Sequence, residues 1–368
     1  MSGRPSDGPS MSREADLRFL ALLVHRGQLE RAQAESLMPH LKQGTALDDL
    51  LVDVLGKEEA WVRKMRRTQA GEIPEIPGYE IQGLAGRGGT ADVFRAREKK
   101  TGKTLALKVL NPAATRASAT RKAFINEAKL LARLDHSGLV AGHGVARSGQ
   151  TYFARMEFVE GATLLEILDR GQPLEEGVAL RIILEASEVL RYLHGEGVIH
   201  RDVKAGNIML SNQGRVKLID LGFAAGEEEP APNPEDTAVG TVAYLSPEQA
   251  RGGASADLRS DIYSLGVTLF QLVIGRLPFE SSDDREVLRM QVMQSLSSPE
   301  LKDRKLSPHL HYFIEKMMAK NKEERYQSWE ELVRDIEGQL EGRESLDYRQ
   351  GDRTRSQRRR GPSSGRRR

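Results

Sequence analysis

The feature that most constrains this chain is a short polar run that is followed, after an apolar segment, by an acidic turn. In the run HRDVKAGN (200–207), Asp202 and Asn207 lie five residues apart, and Asp220 follows in DLG eighteen residues after Asp202. A carboxylate base, an amide and a second carboxylate at this spacing suit transfer of the terminal phosphoryl group of a magnesium nucleotide. The spacing therefore predicts a phosphoryl-transfer site in the middle of the chain.

Three segments precede residue 79: a polar leader, a region with a helical pattern and a linker. Residues 1–12 are polar, with Gly, Pro and Ser, and predict a flexible leader. Residues 13–70 have helical periodicity, and their LLVHRG (22–27) recurs in outline as LLVDVLG (50–56), each copy leading into a polar helix start. This pattern predicts a small all-helical regulatory or docking module. Residues 71–78 contain two prolines and are predicted to be a linker.

From residue 79 the pattern changes to short strands and then to helices. The strand-like runs cover residues 79–84, 91–97, 104–110 and 152–158. The helical segments cover residues 122–134, 180–195, 265–274 and 328–340. The chain is therefore predicted to be α+β, with a small β-rich lobe carrying one helix and a larger helical lobe over residues 79–340. A cleft between two such lobes is a usual place for a ligand.

The C-terminal end is strongly basic. Residues 349–368 contain nine Arg, one Asp and no apolar side chain, so residues 341–368 are predicted to be a disordered basic tail. Either a solvated tail or a weak contact with nucleic acid, acidic lipid or an acidic protein fits this composition. The sequence shows no signal peptide, no apolar run long enough to span a membrane and no cysteine, so we expect a cytoplasmic protein.

A glycine-rich turn lies between the first two predicted strands. Gly86, Gly88 and Gly89 lack side chains, so the backbone there can approach phosphate groups closely, although a plain hairpin would also fit. A strand after the turn argues against a dinucleotide-binding fingerprint, because that motif needs a helix in this place.

These motifs, in this order, resemble those of bacterial eukaryotic-type (Hanks-type) Ser/Thr protein kinases over residues 77–340. The resemblance implies the two-lobed protein kinase fold and the use of ATP with Mg²⁺, or alternatively Mn²⁺. It implies phosphoryl transfer to Ser and Thr hydroxyl groups of protein substrates, with autophosphorylation of the activation loop. Autophosphorylation in trans implies at least a transient homodimer.

The resemblance also implies a role for each matched residue. Asp202 would act as the catalytic base, and Lys204 would neutralise the transferred phosphoryl group. Lys108 would hold the α- and β-phosphates, with Glu127 as its carboxylate partner. The metal ligands would be Asn207 and Asp220. The nucleotide would contact Leu84, Ala85, Gly86, Arg87, Gly88, Gly89, Val93, Ala106, Met156, Glu157 and Val159, in addition to Lys108, Asn207 and Asp220.

Residues 220–248 match the activation segment of these kinases. Thr237 is the only Ser or Thr between residues 221 and 240 and is a candidate phosphosite; Thr241 is a second candidate and would also contact Asp202 and Lys204. Leu221 replaces the usual Phe, which keeps the apolar packing and leads us to expect altered switching between active and inactive forms. The resemblance also implies two structural roles. Asp261 would brace the catalytic loop, and Glu248 and Arg325 would form a buried ion pair.

Residues 13–70 resemble the N-terminal domain of type II secretion ATPases and related regulators, in which LLVxxG precedes a helix. Some of those relatives bind a cyclic dinucleotide, but Leu20 stands where they tend to have Gly, so a protein-docking module is preferred. Alternatives for the whole chain are a pseudokinase-like scaffold or signalling adaptor, a small-molecule kinase, and a dinucleotide sensor with a kinase output. The intact catalytic set argues against the first alternative, and the substrate-shaping segment 240–248 argues against the second.

Overall fold

The computed structural model describes residues 9–25, 28–69, 73–226, 241–252, 256–296 and 306–342. Its contacts divide the chain into a first unit, with residues up to 84 and residues 96–103, and a second unit, with residues 85–95 and the chain from 104 onwards. Residues 1–8 of the predicted leader, the candidate phosphosite Thr237 and the predicted tail beyond residue 342 lie outside the described residues.

The N-terminal part of the first unit is helical, as predicted. Its helices are α1 (Pro9–His25), α2 (Arg31–Lys42), α3 (Leu47–Asp53) and α4 (Glu59–Gln69). The core consists of Phe19, Leu20, Leu23, Leu29, Ala34, Leu37, Leu41, Leu47, Leu50, Leu51 and Val62. Leu23 and Leu51, one from each copy of the approximate repeat, are both fully buried. The first helix begins inside the predicted leader, at Pro9, because the fixed φ of proline suits the first turn of a helix.

A polar network joins three of these helices. Asp16 is buried and accepts hydrogen bonds from the backbone N–H of Leu47 and from the guanidinium group of Arg66. Arg66 also donates to Asp48 (Nε–Oδ1 2.8 Å) and lies 4.1 Å from the ring centroid of Phe19. The cation therefore connects α1, α3 and α4 from one position, which compensates the cost of burying the Asp16 carboxylate.

The described part of the predicted linker carries two buried side chains. Ile73 and Ile76 are both buried, and the backbone N–H of Tyr79 donates to the Ile76 carbonyl at 3.0 Å. Residues 73–78 are therefore held by apolar contacts rather than extending as a polar spacer, because their isoleucines gain free energy on leaving water.

An antiparallel five-stranded sheet follows. The strands are β1 (Tyr79–Arg87), β2 (Ala91–Glu98), β3 (Thr104–Leu110), β4 (Gly142–Ser148) and β5 (Thr151–Glu157), in the order β1-β2-β3-β5-β4. In the pairing of β3 with β5, Lys108 lies opposite Ala154 and Ala106 opposite Met156. The sequence analysis missed β4, because its register shifts after Gly142 and its side chains do not alternate between buried and exposed.

The second unit continues with helices and one small sheet. The helices are α5 (Pro112–Arg116), α6 (Ser118–Leu131), α7 (Leu164–Arg170), α8 (Glu176–Gly195), α9 (Pro247–Ala250), α10 (Leu258–Ile274), α11 (Asp284–Met293), α12 (Pro308–Met317) and α13 (Trp329–Leu340). The small sheet contains β6 (Gly161–Thr163), β7 (Ile208–Ser211) and β8 (Val216–Leu218), in that order. These strands are too short to give a sequence signal. The β-sheet and the helix-rich part confirm the predicted α+β architecture.

The centre of the helix-rich part is α10. Asp257 caps its start by accepting from the backbone N–H of Arg259, and Gly275 ends it with a left-handed φ of 88°. Between these caps the helix is buried over almost its whole length, because α8 and α12 pack against it. Among the described helices, none is both long and apolar enough to cross a membrane.

Candidate active site

A buried carboxylate from α10 fixes the backbone of the loop that carries Asp202. Asp261 accepts the backbone N–H groups of His200 (Oδ2, 2.8 Å) and Arg201 (Oδ1, 2.8 Å). Among the described residues, Arg201 is the only non-glycine residue with positive φ, at 65°. Such a conformation is costly and persists only where surrounding contacts hold it. Gln249 adds one such contact by donating to the Arg201 carbonyl at 3.0 Å.

Asp202 has one occupied and one free carboxylate oxygen. Oδ2 accepts from Lys204 Nζ and from Asn207 Nδ2, both at 2.9 Å, while Oδ1 is buried and has no hydrogen-bond partner among the described residues. Burial raises the pKa of Asp202, and the charge of Lys204 partly offsets this effect. Asp202 therefore keeps one acceptor oxygen without a donor, an arrangement that is costly for a buried group.

Lys204 connects this carboxylate to Thr241, which lies within the predicted activation segment 220–248. Its Nζ donates to Asp202 and also to Thr241 Oγ1, at 2.8 Å. Thr241 is buried, so its hydroxyl group is committed to this contact. The sequence-predicted group of Asp202, Lys204 and Thr241 is therefore brought together, although Thr241 lies 39 residues after Asp202 in the chain.

Lys108 lies between two carboxylates from different parts of the chain. Its Nζ donates to Glu127 Oε1 on α6 (2.6 Å) and to Asp220 Oδ1 in the turn after β8 (3.1 Å). Burial alone would lower the pKa of Lys108, but attraction to both carboxylates holds the pKa above its usual range. Burial raises the pKa of Glu127 to about 7, whereas the Lys108 charge outweighs burial at Asp220 and holds its pKa at about 2. Asp220 is therefore the carboxylate of this trio that is ionised at neutral pH, opposite the protonated Lys108.

The residues predicted to bind a metal fit a hard divalent cation. Asn207 uses its amide nitrogen to donate to the backbone and side chain of Asp202, which leaves its amide oxygen as the atom for a cation. Asp220 offers an ionised carboxylate, and the N–H of Gly222 orients it through Oδ1 at 2.9 Å. Within the part of the chain that the structure describes, no cluster of three or more His, Cys, Asp or Glu forms a closed metal cage. Two oxygen ligands suit Mg²⁺, which takes its other ligands from water and phosphates.

The glycine-rich turn has one position that excludes a side chain. A Cβ atom at Gly88 would lie 2.8 Å from the carbonyl oxygen of Ala91. Asn111, which the sequence analysis did not select, supports the turn by donating its side-chain amide to Gly89 (2.8 Å) and its backbone N–H to Thr90 (2.9 Å). The predicted phosphate-contacting residues from 85 to 89 are all exposed around this supported turn, and Leu84 belongs to the first unit.

Four of the residues predicted to contact the nucleotide lie on β2, on β3, near the end of β5 and just beyond β5. Ala106 and Met156 are buried opposite each other, and Val93 and Val159 are partly buried against the same core. Leu221, which replaces the family's phenylalanine, is 1% exposed in that core, so its apolar packing is kept.

A lysine that the sequence analysis missed holds the segment after Met156. Lys217 Nζ on β8 donates to Glu157 Oε2 at 2.8 Å, and the same carboxylate oxygen accepts the backbone N–H of Ala141 at 3.1 Å. Glu157 also donates its own N–H to the Ala141 carbonyl at 2.9 Å. Lys217 stands three residues before Asp220, so the same strand supports both the segment predicted to contact the nucleotide and the predicted metal ligand. Only the alternation of Lys217 with buried Val216 and Leu218 marks it in the sequence.

Replacing Lys217 with Met is expected to raise the KM for ATP about tenfold while changing kcat less. A hydrogen bond to a charged group contributes about 1.5–3 kcal/mol, and about 1.4 kcal/mol corresponds to a factor of ten. Steady-state kinetics with varied ATP measures the effect. Lys100→Met, at an exposed position in the β2–β3 turn, is the matched control, and an unchanged KM in Lys217→Met would contradict the positioning role.

Comparison with known proteins covers this same region. The model of the family described as protein kinase domain matches residues 79–335. A probable serine/threonine-protein kinase of Streptomyces coelicolor is 34% identical over 273 residues, which cover 72% of this chain and 40% of the relative. Serine/threonine-protein kinase PknB of Mycobacterium tuberculosis is 36% identical over 264 residues (70% and 42%), and serine/threonine-protein kinase pkn3 of Myxococcus xanthus is 35% identical over 281 residues (73% and 51%). The chain thus spans about half, or less, of the length of these relatives.

Proposed function

The chain belongs to the protein kinase family, and from this premise we propose that it transfers the γ-phosphoryl group of Mg-ATP to Ser and Thr hydroxyl groups of protein substrates. The observation that carries the proposal is the Asp202 carboxylate, with Oδ2 occupied by two donors and Oδ1 buried without a partner. The naming of bacterial relatives as serine/threonine-protein kinases supports the choice of acceptor.

In this proposal the side chains of the site position the substrate and the nucleotide, or neutralise the charge of the phosphate groups. Asp202 Oδ1 accepts the hydrogen bond of the substrate hydroxyl and takes its proton as the phosphoryl group transfers. Lys204, held by Thr241, places a positive charge beside the transferred group. Lys108, held by Glu127, binds the α- and β-phosphates.

The divalent cation would be held by Asn207 and Asp220, with Mg²⁺ preferred and Mn²⁺ as the alternative. When bound, it neutralises the phosphate charge that develops during transfer.

The same proposal covers regulation and partners. The Lys108–Glu127 contact at 2.6 Å supports a resting arrangement that is already competent for nucleotide binding. Thr241 is buried against Lys204, which supports its role as a contact residue. Thr237 is therefore the phosphosite that we retain, and its phosphorylation in trans would need transient homodimers.

Residues 13–70 would bind a protein partner, and the basic tail would bind an acidic or nucleic-acid partner. The need for ATP supports a cytoplasmic location.

Phosphate incorporation tests the proposed activity. The purified chain is incubated with γ-labelled ATP, Mg²⁺ and dephosphorylated casein, and the modified residues are mapped by mass spectrometry. We expect phosphate on Ser or Thr, and its loss in Lys108→Ala but not in Lys100→Ala, whose lysine is exposed outside the site. ATP binding without incorporation into casein or the chain itself would instead support the scaffold alternative.

A further inference from the structure

A second site is formed by cations on the helix-rich part of the second unit. A cavity of about 430 Å³ is lined by Glu248, Arg251, Lys320, Asn321 and Lys322. These residues come from α9 and its end, and from the chain between α12 and the short 3₁₀ turn Lys322–Glu324. None of them takes part in the proposed phosphoryl transfer, but Glu248 ends the segment 240–248, which the family resemblance assigns to shaping the substrate site.

The one acidic group in the cavity wall is already neutralised. Glu248 accepts two hydrogen bonds from the guanidinium group of Arg325 (Oε1 2.7 Å, Oε2 2.8 Å) and a third from the Ser260 hydroxyl (2.7 Å). Burial acts to raise the pKa of Glu248, but these donors outweigh it and hold the pKa below its usual range. The carboxylate therefore does not neutralise the lysines or the arginine beside it.

Lys320 has no carboxylate partner among the described residues. Its Nζ donates to the Gln291 carbonyl at 2.7 Å and to the Tyr263 hydroxyl at 3.0 Å, and it lies 4.3 Å from the ring centroid of Phe279. Burial and the nearby charge of Arg325 lower the pKa of Lys320 to about 7. An anion in the cavity would therefore relieve an unfavourable environment for this cation.

The other two basic side chains differ in their pairing. Lys322 Nζ pairs with Asp257 at 2.9 Å, and Arg259, which also contacts Asp257, has Glu323 as a second carboxylate partner at 2.9 Å. Arg251 is exposed and has no side-chain partner within the described ranges. The Arg251 guanidinium group thus has its full fork of N–H donors available for a phosphate or carboxylate.

We propose that this cavity binds the phosphate group of a phosphoserine or phosphothreonine in a protein substrate. The proposal rests on the proposed kinase function, because a substrate phosphorylated once would present such a group while a second hydroxyl enters the active site. Three basic side chains and the Asn321 amide offer hydrogen-bond donors to a phosphate monoester, which carries about −1.5 to −2 charge at neutral pH and would favour the protonated form of Lys320. The phosphate would anchor the substrate beside the segment 241–248.

Peptide binding without ATP tests the site independently of catalysis. Fluorescein-labelled degenerate peptides with one central phosphothreonine are compared, by fluorescence anisotropy on the full chain, with the same peptides carrying Thr or Glu. We expect the phosphorylated pool to bind about tenfold more tightly than the Thr pool, which is the size expected for one charge-assisted bidentate contact. Because no phosphoryl transfer occurs, an inactive kinase would leave this result unaffected.

Two charge-reversal variants test whether the preference for phosphothreonine depends on this cavity. Arg251→Glu should abolish the preference for phosphothreonine, whereas Arg133→Glu, at an exposed arginine just after α6, should retain it. Lys320→Gln should weaken the preference several-fold, and thermal unfolding of each variant checks that it is folded. An undiminished preference in folded Arg251→Glu would overturn the proposal, as would equal binding of the Thr and phosphothreonine pools. Equal binding of the Glu and phosphothreonine pools would overturn the assignment to phosphate in favour of carboxylate.

Discussion

Replacing Asp202 with Asn is expected to lower kcat for phosphoryl transfer by about 10²–10⁴-fold, the range for loss of a general base. Two donors, Lys204 and Asn207, both point at Oδ2, so the amide oxygen of the variant must take that place. Its NH₂ group then replaces the free Oδ1 and presents hydrogen atoms to the substrate hydroxyl instead of a lone pair. The variant therefore keeps its hydrogen bonds to the protein and loses only the acceptor for the substrate.

The same variant should leave ATP affinity within about threefold of the wild type, because neither metal ligand nor Lys108 changes. Single-turnover phosphorylation of casein measures the chemical step, and titration with a fluorescent ATP analogue measures binding. Asp135→Asn, at an exposed aspartate whose backbone N–H, not its carboxylate, makes the contact with Tyr192, is the matched control. A kcat for Asp202→Asn within tenfold of wild type would exclude Asp202 as the base.

The largest loss of stability is expected at Arg325. This side chain is buried, and besides its two bonds to Glu248 it donates to the carbonyl groups of Ala319 and Arg259, both at 2.8 Å. Arg325→Met leaves the carboxylate and both carbonyls without these donors, and removing one partner of a buried pair costs about 3–5 kcal/mol. Urea unfolding followed by circular dichroism should show a free energy of unfolding lower by about that amount.

Two comparisons isolate the ion pair. In Glu248→Leu combined with Arg325→Met, no charge is left without its partner, so part of the lost stability should return. Arg289→Met removes a solvent-exposed pair with Glu286 and should have no measurable effect. If the double variant is no more stable than Arg325→Met alone, the unpaired carboxylate is not the source of the loss.

The ion pair of Glu248 and Arg325 also predicts how the stability of the fold changes with pH. The pKa of Glu248 is lower in the folded chain than its ordinary value of 4.5, so the folded state favours the ionised form. The resulting stability is present above about pH 4.5 and is lost as the pH falls through the folded-state pKa. The difference in stability between wild type and Arg325→Met should therefore shrink below about pH 4.5.

The residues of the site could be predicted from sequence where local spacing and family pattern agree. Asp202, Asn207 and Asp220 lie within nineteen residues, and the turn between β7 and β8 brings the last of them back beside Lys108. Few other functions require a carboxylate, an amide and a second carboxylate in this order and at this spacing, so the pattern itself predicts phosphoryl transfer.

Contacts between distant residues without a periodic pattern could not be predicted in this way. Lys217 reaches Glu157 across sixty positions, and Lys320 and Arg251 share a cavity although 69 positions separate them. A single lysine on a short strand or in a turn is indistinguishable from a solvated one until its neighbours are known. Strand β4, with its register shift, and the short strands β6–β8 were not predicted for a related reason, because pairing and not alternation defines them.

The bracing of Arg201 from α10 has a consequence for how this enzyme can change over evolutionary time. Since a carboxylate of the innermost helix holds the catalytic loop in its costly conformation, substitutions that tilt or shift α10 by a fraction of an ångström alter chemistry as well as packing. The interior is thus constrained both by packing and by the proposed chemistry, whereas exposed segments outside the proposed sites are constrained by neither. Divergence among such enzymes should accordingly accumulate on the outside, where new specificities can arise without disturbing the reaction.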